Sequence, residues 1–84
     1  MAKIVKVDGE EIAIQPDNGV EFLLEEMQSI VGGYIEVLYL SDGRLMVVNE
    51  EGLLRKLPFN PIATTMASRI IVGDVLVCEQ NQIR

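Results

Sequence analysis

Two apolar runs dominate the middle of this chain: Tyr34-Ile35-Glu36-Val37-Leu38-Tyr39-Leu40 and Leu45-Met46-Val47-Val48-Asn49, separated only by Ser41-Asp42-Gly43-Arg44. Asp-Gly accepts the positive φ of a tight type I′ turn, so the runs predict a β-hairpin. A strand with one wet face alternates polar and apolar residues. These strands are apolar at nearly every position, as expected where both faces are covered, which places them centrally in a sheet. The whole chain has 84 residues, room for a single domain over 1–84, and a chain of this size buries only about 60% of its unfolded surface. With so few residues left to cover the second face of the hairpin, self-association as a homodimer or larger assembly is expected.

A hairpin also opens the chain, with residues 2–7 and 11–15 around Asp8-Gly9. Ile12 and Ile14 share one face while Glu11 and Gln15 take the other, the pattern of a half-exposed edge strand. Asn18-Gly19-Val20-Glu21 has the form of a capping box, and Val20, Leu23, Leu24, Met27, Ile30 and Val31 recur at helical spacing. Together they predict an amphipathic helix over 19–31 that stops at Gly32-Gly33. After the central hairpin, Glu50-Glu51-Gly52, with Gly52 as the left-handed residue, leads into 53–57 as a third strand of a meander closed by Pro58. Asn60-Pro61 starts a second, short helix with Ile62, Ala63, Met66 and Ala67 on its apolar side. Gly73-Asp74 bends the chain into a final buried strand, Val75-Leu76-Val77-Cys78, and the polar residues 79–84 are expected to fray. The predicted order is β-β-α-β-β-β-α-β: an α+β fold with a mostly antiparallel, mixed sheet of about six strands and two helices.

Composition narrows the chemistry. Apolar residues make up 49% of the chain, which excludes intrinsic disorder. There is no His and no Trp, and Cys78 stands alone, so the usual zinc spacings, a Cys/His couple, a Ser-His-Asp triad and an internal disulfide are all missing. Cys78, inside an apolar run, reads as a small buried hydrophobe. Asn49-Glu50-Glu51-Gly52 lacks the oxygen-ligand spacing of a calcium loop and reads as a turn. Gly32-Gly33 follows a helix instead of preceding one and reads as a helix stop, not a phosphate loop. No cofactor, metal or enzymatic activity is expected.

Thirteen acidic against seven basic residues give a net charge of −6, which opposes direct nucleic-acid binding and attraction to an anionic membrane. The carboxylates fall in short pairs, Glu10-Glu11, Glu25-Glu26 and Glu50-Glu51, the pattern of a solubilising surface; an acidic DNA mimic is the alternative. The apolar stretch near Met1 is shorter than the core of a signal peptide, and no run is long enough to span a bilayer, so a cytoplasmic location is expected.

One segment suggests a ligand. A helix beginning at Asn60 or Pro61 presents backbone N–H groups and a positive dipole end, Thr64 adds a hydroxyl, and Arg55 and Lys56 lie just upstream. Strand alternation would send only one of those two cations to the helix mouth, and the forked guanidinium of Arg55 suits phosphate or carboxylate. Phe59, like Tyr34 and Tyr39, is able to stack on a base or to serve the core or an oligomer contact. Arg55, Lys56, Phe59, Asn60 and Thr64 are thus the candidate residues for a small anionic ligand; the alternative is a capped helix among ordinary surface charges.

Four segments, Val31-Gly32-Gly33-Tyr34-Ile35-Glu36-Val37, Met46-Val47-Val48-Asn49-Glu50-Glu51-Gly52, Leu57-Pro58-Phe59-Asn60-Pro61-Ile62-Ala63-Thr64 and Ile71-Val72-Gly73-Asp74-Val75-Leu76-Val77, together resemble a family of small bacterial and phage proteins known only as domain of unknown function 3846. The resemblance is close over 31–77 and looser over the first thirty residues. It implies an accessory protein, of phage or mobile-element origin and suited to counter-defence, and supplies no activity, cofactor or catalytic residue. The expected function is a non-catalytic binding protein that self-associates and acts on a protein partner. The alternative is an oligomeric sponge for a small anionic ligand or signalling nucleotide.

Overall fold

The two Asp-Gly turns form where the sequence places them. Gly9 and Gly43 take φ of 92° and 90°, conformations a side chain resists. They close the hairpins β1 (Ala2–Val5) with β2 (Glu11–Ile14) and β3 (Ile35–Tyr39) with β4 (Leu45–Asn49). The fifth strand, β5 (Val75–Cys78), joins the two hairpins by pairing with β1 on one side and β4 on the other. The computed structural model describes residues 1–83, and among them the sheet is wholly antiparallel with the order β2-β1-β5-β4-β3.

This order corrects the sequence reading in two places. The sheet has five strands, not about six, because residues 53–57 form turns and β5 occupies the place beside β4 that a meander would give them. The central hairpin is consequently central only in part: β4 buries all five of its residues, whereas β3 is an edge strand, half-buried and ending on an exposed Tyr39. The prediction of β2 as the opposite edge agrees with the structure.

Helix α1 (Leu24–Val31) begins five residues later than the capping signal implies. Asn18 does cap: its Oδ1 accepts from the N–H groups of Val20 and Glu21, both at 2.9 Å. It closes a local turn, however, and the chain then runs extended so that Phe22 can bury fully and bridge to Ile83. Burial of an aromatic ring outweighs a few tenths of a kcal/mol of helix propensity per residue. The helix takes its N-terminal partner from Glu26, whose carboxylate accepts from Leu23 N at 2.9 Å and Asp17 N at 3.0 Å. Gly32, at φ 81°, ends the helix as predicted. The same Phe22–Ile83 bridge orders the C-terminal stretch: Gln80–Gln82 is a 3-10 turn and Ile83 packs on the core. Fraying is therefore not seen through Ile83; Arg84 lies outside the described residues.

Alternation along β4 and β5 splits the interior into two cores. Leu45, Val47, Leu76 and Cys78 point to the side covered by Phe22 and by Met27 and Val31 of α1. Met46, Val48, Val75 and Val77 point to the other side, covered by Ile71 and by Ala63 of α2 (Pro61–Ala67). The helices thus lie on opposite faces of the sheet, and the apolar face that the sequence reading left for a second copy is covered within one chain. Seven residues of helix and the turn after it suffice because Ala63 and Ile71 are joined on this side by the partly buried side chains of Ile62, Met66 and Ala67.

Candidate functional site

The five candidate ligand residues occupy different places. Asn60 is fully buried and caps α2: its Oδ1 accepts from Ala63 N at 3.0 Å, while its Nδ2 donates to Val5 O at 3.0 Å and Gly73 O at 2.9 Å. Thr64 donates its hydroxyl to Ile71 O at 3.3 Å and accepts from Ile71 N at 2.9 Å. Both side chains therefore clamp α2 to the chain that follows it. Arg55 reaches away from α2 to the other helix, donating to Gly32 O at 3.3 Å and lying 3.5 Å from Glu51. A guanidinium there complements the negative end of α1. Lys56 is exposed, and Phe59 is half-exposed beside its bridge to Val72. Asn60 and Thr64 are brought together; Arg55 is not brought to them.

The feature these residues do build is a turn. From Glu51 onward the chain makes one helical loop: Arg55 N donates to Glu51 O at 2.8 Å, Lys56 N to Leu53 O at 3.1 Å and Leu57 N to Gly52 O at 3.0 Å. The last two bonds are the paired closure of a Schellman motif, with Lys56 as the left-handed residue at φ 57°. Gly52 is not left-handed. It is needed for space, since a Cβ there would lie 2.7 Å from Val72 Cγ2. Asn49, buried at the end of β4, anchors the turn by donating to Val31 O at 3.1 Å and accepting from Glu51 N at 2.8 Å.

This turn holds Leu53 and Leu54 in solvent, 71% and 80% exposed. Facing them, the chain leaves α2 through Ser68 at φ 56° and presents Ile70, 66% exposed. Between the two turns lies a groove of about 320 Å³ that Val48, Leu53, Leu54, Ile70 and Val72 help to line. Glu36, Glu50, Glu51 and Arg69 line it as well, and Glu51 already faces Arg55. The lining thus combines apolar side chains with an excess of carboxylates.

Sequence reasoning passed over this site because Leu53-Leu54-Arg55-Lys56-Leu57 was read as a strand. One signal was available: Glu51 and Arg55 are four apart with the acid first, the order that favours a helical turn. Against it stood Lys at the left-handed position, where glycine is the usual marker.

The one thiol is closed off. Cys78 is buried, and desolvation, with a smaller effect from the Glu79 charge, pushes its thiol up to about 11. Among the described residues no group of three or more His, Cys, Asp or Glu is placed to hold a metal ion, and no helix is long and apolar enough to cross a membrane.

No curated protein and no solved structure matches the chain. A family model does, from residue 2 to residue 83, well beyond the four segments that carried the resemblance, and the chain accordingly belongs to the family described as Domain of unknown function (DUF3846).

Proposed function

We propose that this protein is a non-catalytic binding domain that docks an apolar, positively charged segment of a partner protein in the groove between the Leu53-Leu54 turn and Ile70. The observation that carries the reading is the pair of leucines held in solvent by a hydrogen-bonded turn. Exposing two adjacent large apolar side chains is unfavourable by about 1.5–3 kcal/mol each relative to burying them. The turn that does so also demands a glycine at 52 and a strained lysine at 56. The carboxylates around the groove supply the sign of the partner: cations at the ends of the docked segment would meet Glu36 and Glu50. The lack of His in the sequence and the burial of Cys78 leave this site without a nucleophile-base pair, in keeping with binding instead of turnover.

The test is titration calorimetry with two synthetic peptides of equal length, one leucine- and lysine-rich, the other leucine- and glutamate-rich. The basic peptide is expected to bind, more weakly as salt rises, and the acidic one not to bind. The double substitution Leu53→Ser with Leu54→Ser should weaken binding at least about tenfold, a loss of about 1.4 kcal/mol, without lowering the melting temperature. Equal binding of both peptides, or binding indifferent to the double substitution, would overturn the reading. Stabilisation by nucleotides in place of peptides would favour the sponge instead.

A further inference from the structure

We infer that the free edge of β3 is a pairing site for a second copy of this chain, joining two sheets antiparallel about a two-fold axis through Val37. The direction of the backbone groups follows from the ladder. At one end of the β3–β4 hairpin Leu40 N donates to Arg44 O at 2.8 Å, and at the other Glu50 N donates to Tyr34 O at 2.8 Å. Hydrogen-bonded and non-hydrogen-bonded pairs alternate along an antiparallel ladder. With the register Glu36↔Val48 and Leu38↔Met46, the even-numbered residues of β3 therefore bond to β4. Ile35, Val37 and Tyr39 point their N–H and C=O groups out of the sheet. β3 is the last strand in the order, so among the described residues no strand meets those groups.

Natural edges are usually blunted by proline, lysine, a bulge or an inward charge. This one has no proline, lysine or bulge: the sequence is Ile-Glu-Val-Leu-Tyr, in continuous register with β4 from end to end, with Glu36 as its single charge. The opposite edge differs. β2 is shorter, its Glu11 pairs with Lys3, and Pro16 follows closely.

What selects a second copy is the self-complementarity of β3. Centred on Val37, antiparallel pairing sets Ile35 against Tyr39 of the second copy and Val37 against its own equivalent. Every outward N–H and C=O then has a partner. Glu36, the one charge on the strand, falls opposite Leu38 of the second copy. A shift that centres the pair on Glu36 would oppose like charges, which destabilises a ladder. Ile35 and Val37 already pack on the α1 side, and by the two-residue alternation Tyr39, 77% exposed, extends the same face across the seam. This basis for association differs from the uncovered sheet face that the sequence suggested, and it is independent of the groove reading. Because the axis stands perpendicular to the joined sheet, both grooves would open on one side of the dimer, so that a partner with two docking segments gains from engaging both.

Mass measurement in solution by light scattering, over a range of protein concentration and of salt, is the first test. A doubled mass is expected, and added salt should favour it, since each subunit carries −6; binding of a basic peptide to the groove has the opposite salt dependence. Tyr39→Pro removes one outward N–H that β4 does not use, so it should return the mass to that of one chain at concentrations at least tenfold above the wild-type transition, with the circular dichroism unchanged. Should that variant misfold, cysteine pairing decides. Val37→Cys places two thiols across the axis in a pair whose Cα separation is about 5.5 Å, inside the range of about 4.4–6.8 Å that a disulfide bridges, and should cross-link on mild oxidation. Tyr39→Cys leaves its copies four strand residues apart, about 14 Å at about 3.4 Å per residue, and should not. A single-chain mass at every concentration, or cross-linking as fast for Tyr39→Cys as for Val37→Cys, would overturn the inference.

Discussion

Asn60 is one side chain with three hydrogen bonds and no exposed surface. Its acceptor caps α2, and its amide ties that helix to the end of β1 and to the turn before β5. Asn60→Ala removes a cap, worth about 1 kcal/mol, and takes the donor from two carbonyls in a buried site, where each unmet group costs about 1–3 kcal/mol. A loss of about 3 kcal/mol or more in urea denaturation is expected. Asn60→Asp should recover little of it, because a carboxylate restores the acceptor but not the two donations. A recovery to within about 1 kcal/mol of wild type would show that only the cap matters. Glu26 makes a prediction in pH. The N–H groups of Leu23 and then Asp17, donating to its carboxylate, hold it below the ordinary 4.5. A carboxyl depressed in the folded state adds stability that is fully present above its unfolded value and is lost as pH falls through the lower folded value. Glu26→Gln should therefore melt below wild type at pH 7, and the two melting temperatures should converge as the pH drops below 4.5. A constant difference across that window would assign the effect to packing. Asn60 shows how far local reading reaches: its role as a cap was legible from Asn-Pro, but its donation to Val5, 55 residues away, was not, because nothing in the local sequence names a carbonyl that only folding delivers.

At the scale of elements, the turn from Glu51 to Leu57 separates two uses of a special backbone position. Gly52 has no positive φ but sits where Val72 leaves no room for a Cβ; Lys56 has the positive φ without being glycine. Substitutions at these neighbours should act in opposite directions. Lys56→Gly relieves a left-handed conformation that disfavours residues with a Cβ by about 1–2 kcal/mol and should raise stability by about 1 kcal/mol. Gly52→Ala forces Val72 or the turn to shift and should lower it by about 1–3 kcal/mol. Thermal melts of the two variants read the signs directly; a stabilising Gly52→Ala would mean that the turn yields at no cost. The element-level errors of the sequence reading share one cause. Residues 19–23 and 53–57 carry local patterns for helix and strand, and each was overridden by a contact distant in sequence: the bridge of Phe22 to Ile83 in the first case, the closeness of Gly52 to Val72 in the second. The Asp-Gly hairpins form at the expected places because their closure is local, but not as type I′ turns: only Gly9 and Gly43 take positive φ, and each glycine N–H closes the turn on the carbonyl three residues before it, Lys6 O and Leu40 O.

For the whole molecule, β4 and β5 contribute most to both cores, Leu45, Val47, Leu76 and Cys78 to one and Met46, Val48, Val75 and Val77 to the other, and β1 joins them through Ala2 and Val5. Damage to either core should therefore be felt by the same transition. Leu76→Ala, on the α1 side, is expected to lower stability by about 2–5 kcal/mol. Val77→Ala, on the α2 side, removes less side-chain volume and should cost about 2 kcal/mol, near the lower end of that range. In both variants circular dichroism and tyrosine fluorescence should trace one coincident urea transition. Separate transitions for the two sides would mean that the cores fold independently. Much of this organisation was present in the chain before folding: the two hairpins, the stop at Gly32, the cap at Asn60, the burial of Cys78 and the α+β class all rest on steric and periodic rules that act over a few residues. Tertiary structure alone decided that β5 would part the two hairpins, that the helices would take opposite faces and so hide what a single layer leaves wet, and that β3 would be left at an edge with two leucines on show nearby. Those outcomes depend on which of several similar apolar strands wins the seat beside β4. Strands of nearly equal hydrophobicity are indistinguishable to a local pattern, and only packing of the complete chain separates them.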